Sequence, residues 1–89
     1  MQFEWNEGKA ASNLKKHGVS FHEAASAVVD TLAISRRDAI HDERAVVVGM
    51  STESRLLVTV VIEVTEVTTR IISARRATPH ERKEYEEES

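Results

Sequence analysis

The chain has 89 residues, 40% hydrophobic and 30% charged, which is enough for one core and too little for two, so residues 1–89 are expected to form a single domain. It has no cysteine, which excludes a disulfide framework, a thiolate metal site and a cysteine nucleophile and fits a reducing cytoplasm. The net charge of −3 argues against a broad nucleic-acid-binding field, but residues 1–30 carry 3 bases and 4 acids, residues 31–83 carry 9 and 7, and residues 84–89 carry 4 acids, so the acidity sits in the tail of a mildly cationic body. The longest apolar stretch, residues 56–62, is interrupted by Thr59 and far too short for a bilayer, and no signal pattern opens the chain, so no membrane partner is expected.

In chain order, Phe3 and Trp5 alternate with polar neighbours as in a short edge strand or extended arm, and Asn6 offers an N-cap. The first helix should run to about His17. Gly18 is its natural left-handed stop, and Lys15, Lys16 and His17 oppose the negative end of its dipole. Ser20 and Glu23 then have capping-box spacing, and Phe21, Ala24, Ala25 and Val28 form the apolar stripe of a second helix ending near Asp30.

From Thr31 the period changes to two. Residues 32–34, 44–50, 56–67 and 68–73 are rich in Val, Ile and Thr and are expected to form three or four strands, with a bend or turn near Glu66. The short polar connections at 38–43 and 51–54 make neighbouring strands antiparallel. Thr78, Pro79 and Glu81 then give an N-cap, a first-turn proline and a capping-box acid. Tyr85 is the only large apolar side chain of this last helix, and Glu86, Glu87 and Glu88 oppose its dipole, so fraying without a partner is expected. The expected fold is α+β: two N-terminal helices, a three- to four-stranded antiparallel meander and a C-terminal helix.

The densest chemical signal is R-I-I-S-A-R-R-A, residues 70–77, where a β-branched strand delivers Arg75 and Arg76 just before a helix N-terminus. Guanidinium groups beside free backbone N–H groups suit a phosphate, against the alternative that each arginine pairs with a surface glutamate. Alternation puts Arg70 on one face of that strand and Ser73 and Arg75 on the other. Lys9, Asn13 and Lys16 form a polar stripe on the first helix with His17 beside them, opposite Ala10 and Leu14; it can follow a phosphate backbone or simply face water. The four histidines lack ligand spacing to one another, so no metal or other cofactor is expected. Trp5 and Tyr85 can stack on a base, although Trp5 suits a hydrophobic staple better. Glu43 and Arg44 start a strand and either orient substrate or pair with each other.

Taken together, F-x-W (Phe3, Trp5), N-x-x-K-H-G-V from Asn13, F-x-E-A from Phe21, Glu43-Arg44, Gly49-x-Ser51, Arg55-Leu56-Leu57, R-I-I-S-A-R-R-A, Glu81-Arg82 and Tyr85 resemble the BrnT toxins of bacterial type II toxin–antitoxin systems, within the RelE-like ribonucleases. The resemblance covers nearly the whole chain, and Asn6 stands where the family usually has Asp. It implies a RelE-like fold, metal-independent RNA cleavage that inhibits translation, and neutralisation by a BrnA-like antitoxin, a ribbon-helix-helix protein through which operator DNA is bound. Within that frame Arg75 and Arg76 are expected to take phosphate charge and His17 to transfer protons. Lys16, Arg44 and Arg70 would hold substrate, Trp5 would stack, and Arg82 and Tyr85 on the last helix would meet the antitoxin.

Two other classes compete. A DNA-binding helix-turn-helix fits the lengths of the first two helices, but residues 21–30 contain no Lys or Arg to reach phosphates or guanine edges. An inactive interaction module that only binds its partner fits the acidic sum and Asn6.

Overall fold

The computed structural model describes residues 1–88. Its elements are β1 (Gln2–Glu4), α1 (Glu7–His17), α2 (Phe21–Val28), β2 (Ile34–Arg37), β3 (Arg44–Met50), β4 (Leu56–Glu63), β5 (Thr68–Arg76) and α3 (Pro79–Glu88). Local signals set the helix ends. The Asn6 side chain accepts from the Lys9 N–H at 3.0 Å, and Gly18, at φ 70°, turns the chain out of α1. Ser20 accepts from the Glu23 N–H, but the Glu23 carboxylate does not return to its cap and goes into the core instead. At α3 the box is complete, with Thr78 N–H donating to Glu81 at 2.8 Å and Glu81 N–H to Thr78 Oγ1 at 3.2 Å.

The sheet differs from the expected meander. It has five strands in the order β1-β5-β4-β3-β2, and it is mixed, because β1 pairs parallel with β5 while every other pair is antiparallel. Two helices separate β1 from its neighbours in sequence, so alternation at Phe3 could suggest a strand but not its partner. The turn expected near Glu66 splits the long apolar run into β4 and β5.

One face of the sheet carries α1 and α2. Val19, Phe21, Ala24, Ala27, Leu57 and Ile71 are buried between them, and burying a side chain such as Phe21 contributes about 1.5–3 kcal/mol. Gly49 lets α2 approach, since a Cβ there would lie 2.2 Å from the Ala27 carbonyl oxygen. The opposite face holds a smaller cluster, Val48, Leu56, Val58 and Tyr85, where α3 covers one end. Tyr85 donates from its hydroxyl to Asp30 at 2.5 Å, so α3 is tied to the exit of α2. No helix among the described residues is long and apolar enough to cross a membrane.

α1 also completes an edge. β1 covers β5 only at residues 68–70, and further along the side chain of Asn13 takes the place of a strand. Its Nδ2 donates to the carbonyls of Ala74 (2.8 Å) and Val19 (3.0 Å), and its Oδ1 accepts from the Ala74 N–H (3.2 Å). Asn13 is therefore buried while Leu14 is half exposed, the reverse of the expected polar stripe. Hydrogen bonding to a sheet edge outweighs the apolar preference of the helix face.

Candidate functional site

The open part of the α3-bearing face is ordered by strand register, because cross-strand partners share a face. One row runs Ile34, Val48, Val58, Arg75; the next runs Arg36, Val46, Val60, Ser73; the third runs Arg44, Ile62, Arg70, Glu4. An irregularity in β5 opposite Val60/Val61 inserts Ile72 without a partner. This bulge corrects simple alternation, placing Arg70, Ser73 and Arg75 on one face rather than two. The floor is valine and isoleucine, and the rim is arginine.

Two of the hollows on this face gather the charged side chains singled out above. The first, about 210 Å³, is lined by His17, Arg36, Val46, Val60, Ser73 and Arg75 among others. His17 reaches it because α1 runs along the β5 edge that Asn13 caps. Arg75 is held from behind by α3, its Nη1 and Nη2 donating to the two Glu81 carboxylate oxygens, each at 2.8 Å. A further N–H bonds the Arg76 carbonyl at 3.2 Å, so three of its five donors are used. The bidentate guanidinium pulls the Glu81 carboxyl, against the opposing effect of burial, down to about 2, and Glu81 in turn raises Arg75. Arg36 makes a looser contact with Glu84, 3.8 Å on exposed side chains.

The second hollow, about 570 Å³, is lined by Glu4, Trp5, Asn6, Lys9, Arg44, Ile62, Arg70, Ile71 and Ile72. Arg70 pairs with Glu4, its Nε donating at 2.6 Å. Arg44 differs from every other arginine of this face. Its Nε is buried with no hydrogen-bond partner, and among the described residues its guanidinium makes no ion pair.

The family model described as the ribonuclease toxin BrnT of type II toxin–antitoxin systems matches residues 5–81. The chain belongs to that family. It is a ribonuclease toxin whose target is RNA and whose partner is an antitoxin. In fold, this BrnT-family chain is similar to the Brucella abortus ribonuclease toxin BrnT, known from a 1.1 Å crystal structure. The two share 22% identity with a TM-score of 0.67, over 88% of this chain and 97% of that one. A comparison with curated proteins finds no match.

Of the residues singled out in the toxin's sequence, the fold brings His17 together with Arg75, and Trp5 together with Arg44 and Arg70. It does not bring Arg76 to Arg75. Consecutive strand residues point to opposite faces, and Arg76, the partner of Leu57, lies on the helix-covered side, where its charge helps to lower the Glu23 carboxyl. Lys16 is exposed and lines neither hollow. Trp5 packs edge-to-face on Phe21 and His22 of α2 and donates from its indole N–H to Glu7 at 2.9 Å, so it joins β1 to α2 by packing. Arg82 is exposed beside Glu86, while Tyr85 is buried. Among the described residues no three His, Asp or Glu converge as metal ligands. The sequence reading missed Arg36 and Ser73. Arg36 was within reach, because it shares the alternation of Ile34, but Ser73 depends on the bulge.

Proposed function

We propose that this toxin cleaves RNA without a metal ion in the hollow of His17, Arg36, Ser73 and Arg75, using the substrate's own 2′-hydroxyl as nucleophile. A base removes the proton from that hydroxyl, its oxygen attacks phosphorus, and the 5′-oxygen leaves with a proton. The products are a 2′,3′-cyclic phosphate and a free 5′-hydroxyl. The observation that carries the reading is that an imidazole, the ordinary proton carrier near neutral pH, opens on the same small hollow as two guanidinium groups. Arg75 keeps two donors for a non-bridging oxygen after binding Glu81. Arg36 gives up only an exposed, weak pair to do the same. Lys16, exposed and one residue from His17, adds positive charge nearby without lining the hollow. Arg76, from the other face, contributes through its long-range field only.

In this reading the antitoxin is a small BrnA-like ribbon-helix-helix protein that covers the arginine-rimmed face or docks on α3 around Arg82, with Tyr85 as the anchor that holds the helix in place. Operator DNA is bound through the antitoxin, and the pair acts in the cytoplasm to stop translation. A complex whose interface avoided both the open face and α3 would refute that docking.

The test is RNA cleavage by the purified protein in EDTA. His17→Ala and Arg75→Ala are each expected to lose about a hundredfold or more in kcat/KM. Full cleavage by both variants would discard the site.

A further inference from the structure

The row Arg44, Ile62, Arg70 has a use that cleavage at the His17 hollow does not account for. It crosses three neighbouring strands, so its two arginines stand about 9–10 Å apart at the backbone over one isoleucine. Long flexible guanidinium stems at that separation can converge on one phosphate from both sides. The hollow they share collects Lys9, Arg44 and Arg70 against Glu4, three cations to one carboxylate, with Trp5 in its wall. Arg70 is occupied by Glu4, but on half-exposed side chains that a stronger anion displaces at little cost.

Arg44 is the decisive group. Its Nε is enclosed without an acceptor and no carboxylate among the described residues pairs with its guanidinium, so packing rather than an ion pair holds the side chain, and its charge is left for whatever enters the hollow it lines. Asp38 feels the Arg44 charge, and Glu43 and Glu63 line another hollow with it, yet none of the three takes a hydrogen bond from its Nε.

We propose that Arg44 and Arg70 form a second phosphate subsite, which binds a phosphodiester of the RNA strand flanking the cleaved one. It rests on the reading that cleavage occurs at His17 and Arg75. Along β5 the Arg70 row lies next to the Ser73 row that already belongs to the cleavage hollow, and Arg70 stands roughly 13–17 Å from Arg75 for the four or five residues between them. The substrate is therefore a single strand laid along β5, with more than one phosphate engaged and Lys9 and Trp5 beside the outer one.

Two measurements on the full-length protein test this. The first is binding of a labelled, fully 2′-O-methylated RNA oligomer, which cannot be cleaved, followed by anisotropy at several salt concentrations. Arg44→Ala and Arg70→Ala should each weaken binding about tenfold and flatten the salt slope by roughly 0.7, the value for one lost single-strand phosphate contact. Arg37→Ala removes the same charge from a neighbouring strand outside the row and should leave binding within about twofold. The second measurement is cleavage of an unmodified oligomer and of a dinucleotide. Arg44→Ala should raise KM for the oligomer with little change in kcat, and should match the wild type on the dinucleotide. Because no hydrogen bond or ion pair to the Arg44 guanidinium is found among the described residues, its truncation leaves no hydrogen-bonding group stranded, and an unchanged urea midpoint will establish that the variant is folded.

Unchanged oligomer binding by Arg44→Ala overturns the subsite, as does an equal loss in Arg37→Ala, which would mark a diffuse field. Wild-type cleavage by His17→Ala and Arg75→Ala, with the binding losses intact, would instead overturn the catalytic assignment and leave this subsite standing.

Discussion

The Glu23–Arg55 pair on the helix-covered face and the Glu81–Arg75 pair on the open face are chemically alike, each a glutamate from a helix with two hydrogen bonds to one guanidinium. Their surroundings differ. Glu23 is nearly inaccessible and also accepts from Ser51 at 2.7 Å, while Arg55 bonds the Gly18 carbonyl at 3.0 Å. That pair joins α2, the α1 terminus and the β3–β4 connection, and its arginine has no view of the open face. Arg75 keeps nearly half of its side chain exposed and borders the His17 hollow. Enclosure makes the first pair a structural joint, and exposure leaves the second able to meet a ligand.

The sharpest way to break this comparison is truncation of each arginine. Arg55→Ala strands a buried carboxylate and should destabilise by about 3–5 kcal/mol, seen as a lower urea midpoint. Arg75→Ala should cost less, about 1–2 kcal/mol, because the guanidinium is itself nearly half exposed and Glu81 keeps its bond from the Thr78 N–H, while removing most of the cleavage activity. Equal stability losses would erase the distinction. Asn13→Ala tests the joint that sets the His17 position. It leaves the Ala74 N–H and carbonyl unpaired at the β5 edge and should cost about 2 kcal/mol in the same measurement.

Acid sharpens the contrast from the other side. The Glu81 carboxyl is held down to about 2, so its contribution is complete above its ordinary value of 4.5 and is lost as pH falls toward about 2. The shift corresponds to about 3 kcal/mol, which screening at the exposed Arg75 reduces to about 1–2. Arg75→Ala should therefore show a shallower loss of stability than wild type across that window, followed by urea unfolding at stepped pH. Glu23 is also lowered, chiefly by Arg55, so both variants should flatten the profile, Arg55→Ala from a lower starting point. The smallest expected effect is at the far end of α3. Tyr85→Phe removes one hydrogen bond to Asp30, which still accepts from the Met50 and Leu32 N–H groups, and should cost about 1 kcal/mol while increasing amide exchange in α3. Exchange in α3 as slow as in α1 would contradict the expectation that this helix frays most readily.

The helices were legible in the sequence, since caps at Asn6, Ser20 and Thr78, the Gly18 stop and the apolar spacing of α2 are local and act within one or two turns. The antiparallel order of β2 to β5 followed from short polar connections. β1 beside β5 did not, because strand pairing across two helices leaves no local mark. The candidate site was half visible. Arg75 was singled out by its place at a strand end and His17 by its place at a helix end, yet their meeting depends on Asn13 docking α1 along a sheet edge. Arg76 looked equivalent to Arg75 from its neighbours alone, and the strand pleat sends it to the other face.

The sequence by itself therefore determined the element types, most of their ends and the stock of arginines, because these depend on residues within a few positions of one another. Only the tertiary structure decided which arginine is enclosed by a carboxylate, which is left without a partner and which two share a row. Those outcomes depend on strand register, one β-bulge at Ile72 and burial, quantities that are set by contacts between residues far apart in the chain.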